Sequence, residues 1–506
     1  MSEGHKAAPL VSTGLPGLDK VLRGGLPEGE VYLVHGGPGS GKTTLGLQFL
    51  FEGVRRGERV LFASLLQTPR ELGRIAASHG WTLDGVDLLD MPDAVRRASV
   101  EEQSMFSPGE VELQALSDTV AEAIRTHRPQ RLVFDSITEL AVLVDSPAQL
   151  RRQMLRFKNL LDGIGCTSLF TANDTLAVDL PSLQTAVHGV IQLSIERPPY
   201  GATDRWLEVT KVRGLKYLSG RQDISLHRGG IEVYPRLEIP AEPRLPQWSQ
   251  VSSGDKDLDA LFGGGLEAGT ACLITGTTGA GKSTLASIYV QAAAERGDRS
   301  LIFCFDERRQ TYIRRSRSLG LNIVQHIDQG LVDLRQVDFG HLTLGRFAHE
   351  LREAVDEHGV KVVVLDSLTG FQQAIPHEPR QGIIQLHEIL SYLRAAGVLT
   401  LLIVPSHGLG EGTAMTGEAQ ASYIADTVVL MRHFEAVGEV RRCISVLKKR
   451  HGDHERSIRE ITSGPGGIAL GPPLTAFRNV LSGVPQYIGE HAGLMDRDEE
   501  SHDADT

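Results

Sequence analysis

Short, almost wholly apolar runs alternate with longer amphipathic stretches along most of this chain. Val31–Val34, Arg59–Ser64, Arg131–Phe134 and Thr167–Thr171 are β-rich runs, and stretches such as Val111–His127 between them space their apolar residues as helices do. The order returns further on, in Ala271–Ile274, Ser300–Phe305, Lys361–Leu365 and Leu399–Val404. Strand–helix alternation implies a mostly parallel sheet flanked by helices. The pattern predicts an α/β fold built twice, with ligands gathered at the carboxyl ends of the strands.

The duplication is visible residue by residue. Ser12–Leu45 set against Ser252–Leu285 without gaps gives 15 identities in 34 positions, among them Gly14/Gly254, Asp19/Asp259 and Gly24-Gly25-Leu26/Gly264-Gly265-Leu266. A repeat of this period is a whole domain rather than a solenoid unit. The expected layout of the 506 residues is a leader (1–11), a first domain (12–235), a Pro-rich linker (236–247), a second domain (248–475) and an acidic, disordered tail (476–506).

Each copy carries one glycine-rich loop after its first buried strand. The first is Gly36, Gly37, Pro38, Gly39, Ser40, Gly41, Lys42, Thr43, Thr44; the second is Gly276, Thr277, Thr278, Gly279, Ala280, Gly281, Lys282, Ser283, Thr284. Both fit G-x-x-x-x-G-K-[ST]. Glycines let backbone N–H groups close around a phosphate, the lysine neutralises charge, and the Thr43 or Ser283 hydroxyl ligates Mg²⁺. A helix starting at each lysine adds its positive end. The chain is expected to bind ATP with Mg²⁺ twice.

Composition narrows the rest. A hydrophobic content of 41% with 23% charged residues describes an ordinary globular chain, and no apolar run approaches the ~20 residues of a membrane span. The polar N-terminus lacks a signal-peptide core, and four scattered cysteines read as buried thiols in a reducing cytoplasm. A net charge of −11 argues against a protein that coats nucleic acid, so DNA is not the expected partner.

Further chemistry lies at strand ends. Asp135 and Asp366 each close an apolar strand, where a carboxylate reaches the Mg²⁺ shell. After Ser300–Phe305 come Asp306 and Glu307, placed to polarise a water; the first copy has Leu66 and Gln67 there, and glutamine cannot take a proton. This asymmetry makes the first site a candidate for holding ATP and the second for turning it over. Late in each copy a strand-like run ends in cations, Lys211 with Arg213 and Lys448 with Arg450, at matching places. Exposed charges on a sheet edge are the plain reading; arginine-finger cations delivered to a neighbouring subunit's γ-phosphate are the functional one. Thr171, Asn173, Ser406 and His407 either sense the γ-phosphate or line the loop, while His451 and His454 lack further ligands at workable spacing for a metal.

Together these residues resemble the KaiC family, the tandem RecA-fold ATPases of the cyanobacterial clock: Ser-x-Gly-x-x-x-Leu-Asp…Gly-Gly-Leu, the phosphate loop, the strand-terminal aspartate and the late Lys-x-Arg, over roughly residues 10–485. The resemblance implies two tandem RecA-like P-loop NTPase domains, ATP and Mg²⁺ in both, and a two-tiered homo-hexamer with nucleotide at subunit interfaces. Lys211, Arg213, Lys448 and Arg450 would then act in trans. It also implies serine/threonine autokinase activity in the second domain, with Ser422 as acceptor, and a role in signalling or regulation with a protein partner. The chain departs from the family's paired glutamates at Leu66-Gln67 and, in part, at Asp306-Glu307. Tyr423 replaces the second acceptor hydroxyl, so an ordered two-site cycle is not expected. The alternatives are a non-catalytic, nucleotide-gated scaffold and a RecA-type DNA-dependent ATPase.

Overall fold

A computed structural model describes residues 9–90, 108–144, 146–174, 180–197, 203–238, 249–337, 343–374, 379–405, 423–436, 438–464, 466–480 and 485–488. The chain divides into two compact units, with the boundary between Arg236 and Leu237; the segment Thr343–Glu350 groups with the first.

In the first unit, β1 (Leu10–Val11) pairs with β2 (Leu26–Pro27) on either side of the short helix α1 (Pro16–Val21). The last residues of the expected leader are thus part of the fold, because Leu10 and Val11 find strand partners. The recurring Ser…Asp spacing has a physical cause here. Asp19 accepts from the Ser12 hydroxyl at 2.6 Å and from the Thr13 N–H at 2.8 Å, closing the turn ahead of α1.

The main sheet has nine strands. Six run parallel, in the order β5 (Asp87–Asp90), β4 (Val60–Ser64), β6 (Arg131–Asp135), β7 (Thr167–Asn173), β3 (Val31–Gly36) and β8 (Gly189–Glu196). An antiparallel meander of β9 (Asp204–Val212), β10 (Arg221–His227) and β11 (Gly230–Tyr234) extends it beyond β8. Strand alternation sends Val31, Leu33, Leu132 and Phe134 to one face and Tyr32, Val34, Val133 and Phe62 to the other. The helices α2 (Lys42–Arg55) and α3 (Pro69–Ser78) contribute Leu45, Phe49 and Leu72 to the second core. The helices α4 (Pro108–His127), α5 (Ile137–Leu143) and α6 (Pro147–Asp162) contribute Leu116, Ile137 and Phe157 to the first. With both faces covered, the central strands must be apolar throughout, which is why they stood out in the sequence. The helix α7 (Leu180–Ala186) precedes β8.

The second unit repeats this topology. Its opening pair is β12 (Gln250–Val251) with β13 (Leu266–Glu267), around α8 (Lys256–Leu261), and Asp259 accepts from Ser252 and Ser253 as Asp19 does from Ser12 and Thr13. The sheet order is β16 (Val332–Gln336), β15 (Arg299–Cys304), β17 (Val360–Asp366), β18 (Leu399–Pro405), β14 (Ala271–Gly276), β19 (Thr427–Ala436), β20 (Glu439–Lys449), β21 (Arg459–Gly464) and β22 (Gly467–Pro473). The helices α9 (Lys282–Glu295) and α10 (Arg309–Ser318) pack Leu285, Tyr289 and Tyr312 on its core.

The expected tail from residue 476 is a further correction. β23 (Phe477–Arg478) pairs with β24 (Gln486–Tyr487), and Val480 is buried beside Phe434 and Phe477, apolar side chains that give this stretch something to pack on. All four cysteines are free and buried, as expected, and burial pushes the Cys443 thiol up to about 11. Among the described residues, no helix is long and apolar enough to cross a membrane.

Candidate nucleotide sites

Each glycine-rich loop joins a central strand to a helix, β3 to α2 and β14 to α9. Gly41 and Gly281 adopt φ of +106° and +105°, a left-handed turn that lets the helix begin at the following lysine. The first glycine of each loop is fixed by crowding. A Cβ on Gly36 would lie 2.0 Å from the Leu193 carbonyl oxygen, and one on Gly276 1.7 Å from that of Met431. Lys42 Nζ donates to the carbonyls of Gly36 and Gly37 at 2.7 and 2.9 Å, and Lys282 Nζ to those of Gly276 and Thr277 at 2.7 Å each. Each ammonium is thus held over its own loop. Burial lowers the Lys42 pKa, opposed by the negative charges of Asp135 and Asp174.

The strand-terminal aspartates reach the hydroxyls that follow these lysines. Thr43 Oγ1 donates to Asp135 at 2.7 Å, and Thr171 Oγ1 donates to the other carboxylate oxygen at 2.5 Å. In the second unit Ser283 hydrogen-bonds Asp366, whose carboxyl is pushed up by burial against that bond and the nearby Arg315. Hydroxyl and carboxylate oxygens brought side by side beside a lysine suit a hard cation and the phosphates it bridges. The Ser40 hydroxyl, buried in the first loop, has no partner among the described residues. Both sites therefore fit a Mg-bound nucleoside triphosphate.

Past these shared parts the units differ. Asp306 accepts a short hydrogen bond from the hydroxyl of Ser367, the residue after Asp366, which ties it to the aspartate's end of the sheet. Glu307 is forked by Arg315 of α10, Nη2 to Oε2 at 2.7 Å and Nε to Oε1 at 3.4 Å. Arg315 also lies 4.8 Å above the Tyr312 ring. In the first unit Leu66 is exposed, the Gln67 side-chain carbonyl is buried without a partner among the described residues, and Ile75 occupies the place of Arg315.

Comparison with known proteins agrees with this geometry. The family profile described as "ATPase: KaiC" matches residues 11–238 and again 251–475. The chain belongs to the KaiC ATPase family. It is similar to the circadian clock protein KaiC3 of Synechocystis sp. PCC 6803, at 26% identity over 96% of this chain and 97% of that protein. It is also similar to the circadian clock oscillator protein KaiC of Picosynechococcus sp. PCC 7002, at 28% identity over 96% and 93%. The KaiC of Thermosynechococcus vestitus aligns at 28% identity over 94% and 92%.

The late basic pairs of this KaiC-family chain stand far from its own loops. Lys211 is level with Val190 on β8, three residues before Leu193, which is level with Gly36. That is about 10 Å along the strand. Its Nζ points further away, to the carbonyls of Gln184 and Val187 at 2.6 and 2.9 Å, and Arg213 bonds the Thr185 carbonyl at 2.8 Å. Lys448 and Arg450 repeat this, bonding the carbonyls of Ala425 and Tyr423 at 2.8 and 2.7 Å, with Met431 level with Gly276. Neither pair meets the nucleotide loop of its own unit. Ser422, Ser406 and His407 lie outside the described residues.

Three contributors escaped the sequence reading. Arg315 was hidden as one of several arginines on its helix, Ser367 as the residue after a recognised aspartate, and His433 by its distance along the chain from the loop it touches, Thr277 Oγ1 to His433 Nδ1 at 2.9 Å. Only Ser367 left a signal, since each aspartate is followed by serine, Ser136 and Ser367.

Proposed function

We propose that this KaiC-family ATPase is a Mg-dependent, cytoplasmic ring protein whose two units divide the work. The first holds ATP and stabilises assembly, and the second hydrolyses it. The observation that carries this reading is the difference at the strand end beyond each loop, Asp306 and Glu307 against Leu66 and Gln67. Thr43 with Asp135, and Ser283 with Asp366, would hold Mg²⁺, which when bound neutralises charge on the phosphates. Lys42 and Lys282 leave their loop carbonyls for phosphate oxygens. Glu307, oriented by Arg315, accepts the proton of the attacking water, and Asp306 orients the same water. Lys211, Arg213, Lys448 and Arg450, out of reach of their own loops, are suited to a neighbouring copy's γ-phosphate in a homo-hexamer. Ser422 is the acceptor for autophosphorylation by the second unit, and a signalling protein is the expected partner.

A non-catalytic, nucleotide-gated scaffold is the second reading, favoured by the engagement of both Glu307 oxygens with Arg315. Phosphate release with ATP and Mg²⁺, measured for wild type, Lys42→Ala and Lys282→Ala alongside intact mass and sizing, separates the two. Turnover lost in Lys282→Ala alone, with nucleotide-dependent assembly and an added phosphate on wild type, supports the proposal. Absence of turnover in wild type leaves the scaffold.

A further inference from the structure

On the strand beside the phosphate loop, the second unit has a titratable ring, His433, at the position where the first has a hydrocarbon, Ile195. His433, on β19, hydrogen-bonds Thr277 through Nδ1 at 2.9 Å. Its ring runs along the loop, since a Cβ on Gly279 would lie 3.6 Å from Cε1 and 3.9 Å from Nε2. In the first unit the strand residue level with Gly36 is Leu193, as Met431 is level with Gly276. Two residues on stands Ile195, whose methyl lies 3.9 Å from a Cβ built on Gly37. Thr277 and His433 in one unit thus correspond to Gly37 and Ile195 in the other.

The charged groups facing the imidazole are cations. Lys282 comes from α9, and Arg442 stands directly across on β20, donating to the Ser463 hydroxyl at 2.8 Å. Glu435, two residues along β19, shares its face and is exposed. Burial first, then Arg442 and Lys282, hold His433 below the usual histidine range, so near neutral pH the ring in the free protein is uncharged. A bound polyphosphate reverses the local field that keeps it so.

We infer that His433 is a proton-linked positioning residue of the second nucleotide site: a polyphosphate in the Gly276–Thr284 loop draws one proton from solvent onto the imidazole, and at the corresponding strand position the first unit has Ile195. This rests on the reading of both loops as nucleotide sites. The proton adds to the ring nitrogen left bare in the neutral tautomer, no other bond changes, and the Thr277 hydroxyl, able to donate or accept, keeps its contact in both states. The sign follows from linkage. The bound-state pKa lies above the free-state one, so affinity is highest below the free value and falls as pH rises through the interval, by at most about tenfold per pH unit.

The test is calorimetric titration of the full chain with MgADP, in buffers of different ionisation heat between pH 6 and 8, on a Lys42→Ala background that silences the first site. Net proton uptake that disappears in both His433→Gln and His433→Ile, with the pH dependence of affinity flattened, is the expected result. Binding without uptake, or uptake that persists in both variants, overturns the role of His433 and leaves the nucleotide sites standing. No MgADP binding by Lys42→Ala, where wild type binds, removes the second site and both readings with it.

Discussion

Replacing Glu307 by glutamine gives the second unit the residue the first already has at that place, Gln67. The side chain keeps its size and one oxygen for Arg315 but loses the ability to take a proton. A missing general base costs about 10²–10⁴ in rate, or about 3–5 kcal/mol of barrier. The fold should notice far less. The Glu307–Arg315 fork is 25% and 27% exposed at its two side chains, so solvent screens it, and its loss costs about 1 kcal/mol or less. The assay is steady-state phosphate release with MgATP, read beside a thermal melt and MgADP affinity for the same protein. A fall in kcat of two to four decades with melting and affinity nearly unchanged is expected. Arg315→Ile, the residue of the first unit, frees the carboxylate without removing it, and misorientation should lower kcat by about ten- to a hundredfold with KM little changed. Turnover unaffected by Glu307→Gln but abolished by Lys282→Ala would refute the assignment and move the base to Asp306, which Asp306→Asn then identifies.

Further outcomes are expected elsewhere. Gly276→Ala places a methyl 1.7 Å from the Met431 carbonyl, so the loop must shift; MgADP affinity at the second site should fall at least tenfold by calorimetry while the first site is unchanged. Arg131 is fully buried and bonds Glu58 and the carbonyls of Ser12 and Phe49, the latter two at 2.7 and 2.9 Å; Arg131→Met strands these acceptors and should cost about 3–5 kcal/mol, seen as a lower melting temperature. The hydrogen bond from Arg459, with a second from Ser457, holds Glu455 below the usual carboxylate range. Its contribution is complete above the unfolded carboxyl pKa of about 4.3 and is lost as pH falls through the lower folded value, so melting curves of wild type and Glu455→Gln should converge in acid.

What could be read from the sequence was whatever is local along the chain. The phosphate loops are contiguous, the buried strands are apolar because both faces are covered, and the Ser…Asp spacing closes a turn within seven residues, as Ser12 and Asp19 show. Contacts that bring distant segments together left little trace. His433 reaches Thr277 across two strands that are neighbours only in the sheet, and the orientation of Arg315 back onto Glu307 depends on how α10 leaves β15. The short strands at either end went unread for a related reason: Leu10–Val11 and Phe477–Arg478 are too short to signal strands and exist because Leu26–Pro27 and Gln486–Tyr487 pair with them.

The two units diverge in pairs, and the pairing itself is informative. Both carry the G-x-x-x-x-G-K-[ST] frame with its lysine, its following hydroxyl and a strand-end aspartate, so the capacity to hold a phosphate chain is common to both. Where the second has Glu307 with Arg315, the first has Gln67 with Ile75; where the second has Thr277 with His433, the first has Gly37 with Ile195. In each pair a charged or titratable contact in one unit stands against a neutral one in the other. A glutamate at position 67 beside Ile75, or His433 opposite a glycine, would leave a charged or polar group without its partner at a partly buried position, which costs more than replacing both halves. The neutral pairs of the first unit therefore keep its fold while removing two titratable groups that the second unit places near its loop. Restoring one half alone should reveal this: Gln67→Glu without Ile75→Arg should lower the melting temperature and leave the first site inactive, and the double substitution should recover the melting temperature. A single substitution that is neutral to stability, or one that hydrolyses ATP with Ile75 in place, would show that the partners are independent.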